Sequence, residues 1–406
     1  MATRSPLAPD GFPDLPVVPG VRLAAIEAGL RYQARADLML AEVPPGTTVA
    51  GVFTRSQCPS APVDWCRRIL ATGGARAIVC NAGNANAFTG RAGETAAELT
   101  AVTIAGALGC RPDEVFLAST GVIGETLDER ALADALPVLA RSEAAGWELA
   151  ANAIRTTDTF PKGSGRDVAG TGAVVAGIAK GSGMIAPDMA TMLGFVFTDL
   201  AVTSDALQQA LSASVATSYN RITVDSDTST SDTVLLFATG KADHPTIEGP
   251  GSPGWDAFVS ALDAVNLDLA QQIVRDGEGA TKFVEVAVLG AVDDASARTI
   301  AMAIGNSPLV KTALAAEDAN WGRIVMAVGK AGEPADRDGL AIWIGSEQVT
   351  DAGVALEGYS ESRATEHLRQ SEVTITVDVG VGEGQASIWT CDLTHGYIEI
   401  NAGYRT

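Results

Sequence analysis

A segment in the middle of the chain, residues 180–199, reads KGSGMIAPDMATMLGFVFTD. It begins with a lysine and three small residues, passes through a Pro-Asp pair, and ends in an apolar run from Met192 to Phe197. Glycine and proline are typical of loops, and a short apolar run bounded by them is typical of a buried strand. The segment therefore predicts that Thr191 lies at the junction between a loop and a core strand.

A threonine in this position can act as a nucleophile only if a base lies beside its hydroxyl. When the threonine is a chain terminus, its own α-amine can be that base, since the pKa of a free α-amine is about 7.7–8.0. Attack of the Thr191 hydroxyl on the carbonyl carbon of Ala190 would convert the peptide into an ester that water can hydrolyse. An Ala-Thr pair alone does not predict this cleavage, because most such threonines are ordinary residues.

Three segments carry a resemblance to a known family. KGSGMIAPDMATML at 180–193 closely resembles the cleavage-site signature of the bifunctional glutamate N-acetyltransferase/ornithine acetyltransferase family, whose members cleave themselves before the corresponding threonine. NAGNANAFTG at 81–90 and DGEGATK at 276–282 resemble two further family segments. The resemblance runs from about residue 20 to the end of the chain, although many relatives carry Asn in place of Asp188.

The resemblance implies roles that composition alone does not. Thr191 is the implied nucleophile, and Thr120 and Gly121 form the implied oxyanion hole through a hydroxyl and a backbone N–H. Without the family, Thr120-Gly121 is a plain turn after a strand, and Glu278 is a solvated residue after a helix. The implied substrate contacts are Thr156, Thr157, Lys180, Thr191, Glu278, Asn401 and Thr406, with the choice between Thr156 and Thr157 left open.

The implied reaction moves an acetyl group from N2-acetylornithine to L-glutamate through an acetylated Thr191, with ping-pong kinetics. Lys180 would bind a substrate carboxylate and Glu278 a substrate amine. No metal or nucleotide is needed, and acetyl-CoA is a second acetyl donor in some relatives. Two alternatives share much of this sequence: an N-terminal-nucleophile amidohydrolase or aminopeptidase, in which water takes the acyl group, and a paralogue that never cleaves.

The pattern of helices and strands predicts an α+β fold, and the family form is a layered αββα-type sandwich. Cleavage before Thr191 would divide the chain into an α chain, residues 1–190, and a β chain, residues 191–406, whose C-terminal tail closes the site. The resemblance implies that they remain together as a heterodimer, in a heterotetramer of two α and two β chains. Apolar periodicity further predicts an amphipathic helix at 255–275, a strand at 324–328 and a final hairpin formed by EVTITVDV and QASIWTCDL.

Composition excludes several classes of partner. The formal net charge of −21 opposes binding to nucleic-acid phosphates or to an anionic membrane. The chain has no apolar run of about eighteen residues, so no membrane span is predicted. Five scattered cysteines without metal spacing, and no secretory signal at the start of the sequence, predict a cytoplasmic protein with free thiols. The three histidines lie in no motif that would predict a Ser-His-Asp triad.

Overall fold

The computed structural model describes residues 3–186 and 192–403. Three residues of the predicted site, Ala190, Thr191 and Thr406, therefore lie outside the described residues. The described part combines two β-sheets with helices, which confirms the α+β class predicted from the sequence.

The strands of the described part, in chain order, are β1 (Arg22–Ile26), β2 (Leu38–Phe53), β3 (Gly74–Asn84), β4 (Val115–Val122), β5 (Lys162–Val168), β6 (Ala173–Lys180), β7 (Leu193–Thr198), β8 (Thr233–Ala238), β9 (Phe283–Ala291), β10 (Ala341–Ile344), β11 (Glu347–Asp351), β12 (Val354–Ala355), β13 (Glu372–Asp378) and β14 (Gly384–Cys391). The α-helices are α1 (Ala61–Ile69), α2 (Gly90–Leu108), α3 (Glu129–Arg141), α4 (Trp147–Ala153), α5 (Ser204–Thr217), α6 (Trp255–Arg275), α7 (Asp294–Gly305), α8 (Pro308–Ala315), α9 (Trp321–Gly329), α10 (Glu361–Leu368) and α11 (His395–Asn401).

The first sheet has the strand order β4-β3-β2-β8-β7-β6-β5, with β1 paired to β2. Strands β7 and β8 follow residue 191 in the sequence, yet they lie between β2 and β6, which precede it. The two parts of the chain on either side of the predicted cleavage point are therefore interleaved within one hydrogen-bonded sheet.

Helices cover both faces of the first sheet. In β7, Phe195 and Phe197 point into the core shared with α2, α3 and α4, whereas Val196 points into the core shared with α5 and α6. This alternation follows from the two-residue repeat of a strand. A strand buried on both faces has apolar residues at nearly every position, which explains the continuous apolar run in this part of the sequence.

The second sheet corrects the predicted final hairpin. Its strand order is β12-β11-β10-β13-β9-β14, so the sequence neighbours β13 and β14 do not pair with each other. Strand β9 lies between them, parallel to β13 and antiparallel to β14. The alternating pattern correctly predicts both strands, but it contains no information about which strand lies beside each of them.

The two other elements predicted from periodicity have opposite outcomes. The helix predicted at 255–275 is α6, with the same bounds. The strand predicted at 324–328 is wrong, because these residues belong to α9. Ile324, Ala327 and Val328 are its buried residues, and this i, i+3, i+4 spacing is the stripe of a helix, which a five-residue apolar run cannot distinguish from a strand.

Three properties of the described part bear on its partners. Its helices include none with the length and apolar character that crossing a membrane would require. No group of three or more His, Cys, Asp or Glu side chains in residues 3–186 and 192–403 is arranged to hold a metal ion. The five cysteines are free thiols.

Candidate active site

A pocket of about 360 Å³ opens where the ends of β4 and β6 meet the turn after α6 and the C-terminal helix α11. All of the predicted site residues within the described part line it. These residues are Thr120, Gly121, Thr156, Thr157, Lys180, Glu278 and Asn401. They come from five separate places in the sequence, and the fold brings them to a single cavity.

The register between β3 and β4 determines the position of Thr120 and Gly121. These parallel strands pair Thr120 with Ala82 and Gly121 with Gly83. Gly121 has a φ of +131°, and a Cβ atom on it would lie 2.2 Å from the backbone carbonyl carbon of Gly83. Only glycine fits there, because a side chain would collide with the neighbouring strand and the backbone conformation is one that other residues rarely adopt.

Lys180 lies buried at the end of β6 and joins two of the predicted threonines. Its Nζ donates hydrogen bonds to Thr120 Oγ1 at 3.1 Å and to Thr156 Oγ1 at 2.9 Å. An ammonium group has donors and no acceptor, so each hydroxyl must accept from it and keeps its own hydrogen for another partner. The Thr120 hydroxyl is thereby available to donate into the pocket, as an oxyanion-hole residue must.

The same geometry distinguishes the two candidate threonines. Thr156 and Thr157 both line the pocket, but Thr156 is the one whose hydroxyl accepts from Lys180. Burial lowers the pKa of Lys180, and the carboxylate of Asp158 partly offsets this effect. The shortest distance between these two charged groups is 3.9 Å, from Nζ to Oδ2.

A buried cluster of charges lies behind Lys180. The Lys162 ammonium is fully buried between Asp158 Oδ1, at 2.7 Å, and Asp276 Oδ2, at 2.5 Å. Burial alone would raise the pKa of Asp158, but Lys162 and Lys180 hold that pKa below its usual range. Burial raises the pKa of Asp276, and Lys162 only partly offsets this. The cluster ties the start of β5 to the C-terminal end of α6.

This cluster also positions the loop after β6. Asp158 Oδ1 accepts a hydrogen bond from the backbone N–H of Gly181 at 2.6 Å. The Ser182 hydroxyl donates to the carbonyl oxygen of Asp276 at 2.6 Å, and the Ser182 carbonyl accepts from the backbone N–H of Glu278 at 3.0 Å. Lys180 and Glu278 are therefore held relative to each other through a network that crosses about a hundred residues of sequence.

Glu278 is nearly buried and contacts the loop and the C-terminal helix. A Cβ atom at Gly183 would lie 2.4 Å from the Glu278 carboxyl group, so glycine is needed for this close approach. On its other side, Asn401 Nδ2 donates to Glu278 Oε2 at 2.7 Å. The end of α11 thus reaches the pocket, so the substrate contact of Asn401 stays a prediction, while Thr406 lies outside the described residues.

Sequence reasoning missed several pocket residues, among them the titratable Asp225 and Tyr397. Asp225 accepts from the backbone N–H groups of Met184 at 2.6 Å and Ile185 at 2.8 Å, and the Tyr397 hydroxyl donates to it at 3.3 Å. Burial raises the pKa of Asp225, opposed by these N–H groups. The sequence feature that could have indicated Asp225 is the acidic loop that begins at this residue. The spacing of its acidic residues fits no calcium site, but the loop places carboxylates just before a core strand.

Comparisons with known proteins give matches over nearly the whole chain. A model of the ArgJ family matches residues 22–406. The chain is similar to the arginine biosynthesis bifunctional protein ArgJ of Gluconobacter oxydans, with 56% identity over 405 residues that cover 99% of this chain and 95% of that protein.

Two solved structures are also similar. The arginine biosynthesis bifunctional protein ArgJ of Bacillus halodurans is 46% identical with a TM-score of 0.51, covering 53% of this chain and 100% of that chain. The ornithine acetyltransferase of Mycobacterium tuberculosis, in complex with ornithine, is 33% identical with a TM-score of 0.37, covering 46% of this chain and 95% of that chain.

Proposed function

The chain belongs to the ArgJ family, and on that premise we propose that its pocket transfers an acetyl group from N2-acetylornithine to L-glutamate, with Thr191 carrying the acetyl group between them. It is an acyltransferase of arginine biosynthesis. The products of the proposed reaction are ornithine and N-acetylglutamate.

The observation that carries this proposal is the contact of Lys180 with Thr120 inside a pocket that also contains Glu278. The substrates are α-amino acids, so they present a carboxylate, and the donor releases an amine. A cation and a carboxylate in one pocket suit these two groups. The volume of about 360 Å³ lies in the range of small-molecule sites.

The chemistry proceeds in two acyl transfers. The Thr191 hydroxyl attacks the acetyl carbonyl of acetylornithine, the new α-amine takes the hydroxyl proton, and ornithine leaves with that proton. Glutamate then attacks the acetyl-threonine ester. Each tetrahedral intermediate bears a negative oxygen, which the Thr120 hydroxyl and the Gly121 backbone N–H would stabilise. No step requires a metal ion or a nucleotide.

The interleaved sheet supports a cleaved protein that stays together. Because β7 and β8 pair with β2 and β6, fragments 1–190 and 191–406 would share a sheet and a core after cleavage. Residues 191–406 are 216 of 406 residues, or 53%, the same share of this chain that the Bacillus halodurans chain covers. We propose that the two fragments form an αβ heterodimer. From the family resemblance we further propose that two such heterodimers form a heterotetramer.

Separate reactions with and without glutamate test the function. With both substrates, acetylornithine should be consumed as N-acetylglutamate forms, with parallel double-reciprocal plots. Without glutamate, ornithine release should stop at one equivalent per site. Continued ornithine release without glutamate would instead assign the N-terminal-nucleophile hydrolase activity.

Acetyl-CoA is the second acetyl donor that we propose to test, because the names of the relatives describe them as bifunctional. Formation of N-acetylglutamate from acetyl-CoA and glutamate would assign that activity to this chain. The free thiols fit a reducing compartment, so we propose a cytoplasmic location.

Replacing Thr120 by alanine is expected to lower kcat by about 10²–10³-fold, because one donor to the oxyanion is lost. The KM for acetylornithine should change much less, since the oxyanion forms only after binding. Steady-state kinetics of purified, cleaved protein provide the measurement. Thr120→Ser, which keeps the hydroxyl, is the matched control. An unchanged kcat in the alanine variant would remove Thr120 from the oxyanion hole.

Replacing Glu278 by glutamine is expected to lower kcat/KM for acetylornithine by roughly 10- to 100-fold, since a charge-assisted hydrogen bond contributes about 1.5–3 kcal/mol. Glutamine has the same shape, and it retains an oxygen that can accept from Asn401. Glu42→Gln is the control, because Glu42 pairs with Arg22 outside the pocket. Equal kinetics of Glu278→Gln and wild type for every substrate would contradict the assigned contact.

A further inference from the structure

The N-terminal arm, residues 3–21, precedes β1 and contains no helix or strand. Its side chains Leu7 and Val18 are buried, one in each of the two cores beside the first sheet. The carbonyl oxygen of Pro16 accepts a hydrogen bond from Trp147 Nε1 at 3.1 Å. None of the described arm residues lines the pocket of the candidate active site. The arm is therefore fixed against the folded chain without lining the pocket.

The start of the arm contacts Thr159 and the C-terminal end of α6. The backbone N–H of Ser5 donates to Thr159 Oγ1 at 2.9 Å, and the Ser5 hydroxyl donates to the carbonyl oxygen of Arg275 at 2.6 Å. The Thr159 hydroxyl in turn donates to Asp276 Oδ1 at 2.5 Å. A hydroxyl has one hydrogen and two lone pairs, so the Ser5 N–H occupies a lone pair and leaves the hydrogen for Asp276. The arm thereby fixes the direction in which the Thr159 hydroxyl donates.

A continuous series of contacts leads from Asp276 to Lys180. The Lys162 ammonium joins Asp276 Oδ2, at 2.5 Å, to Asp158 Oδ1, at 2.7 Å. Asp158 Oδ1 also accepts from the backbone N–H of Gly181 at 2.6 Å, and its Oδ2 lies 3.9 Å from the Lys180 ammonium. The side chains of Lys162 and both aspartates are fully buried. Water therefore screens these interactions little, and each group constrains the next.

The last contact of the series is the hydrogen bond from Lys180 Nζ to Thr120 Oγ1, at 3.1 Å. Because the ammonium can only donate, the hydrogen of the Thr120 hydroxyl remains available to the pocket. The direction of this hydroxyl depends on the position of Lys180, which the buried cluster holds. The contacts thus connect the arm with the predicted oxyanion hole, which lies 115 residues further along the sequence than Ser5.

The hydroxyl of Thr159 contributes to the charge state of this cluster. Burial raises the pKa of Asp276, whereas the charge of Lys162 and the hydrogen bond from Thr159 oppose that rise. A hydrogen bond donated to a carboxylate favours its ionised form. Without the hydroxyl, Asp276 would take up a proton more readily and its pairing with Lys162 would weaken.

We propose that Ser5 and Thr159 are positioning residues of the acetyl transfer, which act on the Thr120 hydroxyl through the buried cluster. The inference rests on the proposed function, in which that hydroxyl stabilises the oxyanion. The Ser5 N–H directs the Thr159 hydroxyl to Asp276, and the ionised Asp276 keeps the cluster behind Lys180 in place. Both residues act through other groups and not by contact with the substrate.

Thr159→Val removes the hydroxyl and nearly keeps the shape of the side chain. It should lower kcat about tenfold, in line with the loss of a hydrogen bond to a charged group. Each rate is divided by the ornithine released without glutamate, which counts the active sites, so a loss of folded protein leaves kcat unchanged. Thr159→Ser keeps the hydroxyl and should retain the wild-type kcat. Thr171→Val is the matched control, because Thr171 Oγ1 donates to the Val168 carbonyl at the far end of β5.

The Thr120→Ala background tests the route of the effect. The hydroxyl that the series of contacts orients is absent there, so Thr159→Val should change kcat by less than about twofold. A general structural defect would lower kcat by the same factor in both backgrounds, because the effects of independent sites multiply. The comparison therefore separates positioning of Thr120 from a loss of structure.

Two substitutions at residue 5 test the arm itself. Proline has no backbone N–H, so Ser5→Pro should lower kcat about 2- to 10-fold. Ser5→Ala keeps the N–H and should stay near the wild-type kcat, although it loses the contact with Arg275. Residue 5 belongs to no helix or strand, so the fold should tolerate both changes. Ser5→Pro thus tests the proposal even if Thr159→Val does not fold.

The proposal is overturned if Thr159→Val has the wild-type kcat per site, if Thr159→Ser is equally impaired, or if the loss is the same with and without the Thr120 hydroxyl. Equal kcat values for Ser5→Pro and Ser5→Ala would also overturn it. Absence of acetyl transfer in wild type would instead contradict the proposed function. The two failures are therefore distinguishable.

Discussion

Thr191→Ala is expected to remain a single chain of 406 residues and to lose acetyl transfer, because one hydroxyl serves both reactions. Removal of a catalytic nucleophile can cost about 10⁶-fold in kcat, so we expect a loss of at least about 10⁴-fold here. The uncut chain would also lack the free α-amine that acts as the base. Both effects originate at the same residue and should appear together.

Denaturing gels, intact mass and the two-substrate assay measure these effects. Thr191→Ser is the matched control, since it keeps a hydroxyl and should yield both fragments with measurable transfer. The alanine chain should retain a cooperative thermal transition, because the pairing of β6 with β7 does not depend on cleavage. A fragment spanning residues 191–406 in the alanine variant would refute the assignment of Thr191.

Lys162→Met is expected to destabilise the protein by about 3–5 kcal/mol, because breaking a buried ion pair leaves its partners as uncompensated charges. Asp158 and Asp276 would then lose the ammonium group between them, while Lys180 would remain 3.9 Å from Asp158. The cluster also orients Gly181 and the turn before Glu278, so activity should fall along with stability.

Urea unfolding in the uncut Thr191→Ala background provides the measurement, since it avoids dissociation of two fragments. Lys330→Met is the control, because Lys330 is exposed and a surface substitution there should change the free energy of unfolding by less than about 0.5 kcal/mol. If Lys162→Met lowered stability no more than the control, the cluster would not hold the site together.

The predicted site residues and the pocket illustrate how far sequence reasoning reaches. Thr120, Lys180 and Glu278 were selected through motifs, and all three line a single cavity. The motifs did not indicate that the Lys180 ammonium directs the Thr120 hydroxyl, or that Asn401 reaches Glu278. These contacts join residues 60 and 123 positions apart, a separation at which apolar periodicity carries no information.

The burial of Asp232 was not predicted from the sequence. In the sequence it is the last acidic residue of the polar loop that begins at Asp225. Its burial and its bond to Met192 appear only when β7 and β8 lie side by side in the sheet. The same carboxyl group in an exposed loop would be an ordinary solvated acid.

By itself, the sequence determined the elements whose signal is local. The bounds of α6 follow from a long amphipathic repeat, and strand β7 follows from a short apolar run. The tertiary structure alone decided that β9 separates β13 from β14, that Lys162 lies between Asp158 and Asp276, and that Asp232 adjoins Met192. The reason is physical: periodicity records which face of an element is buried, whereas strand order and buried charge pairing depend on contacts between distant segments that form only in the folded chain.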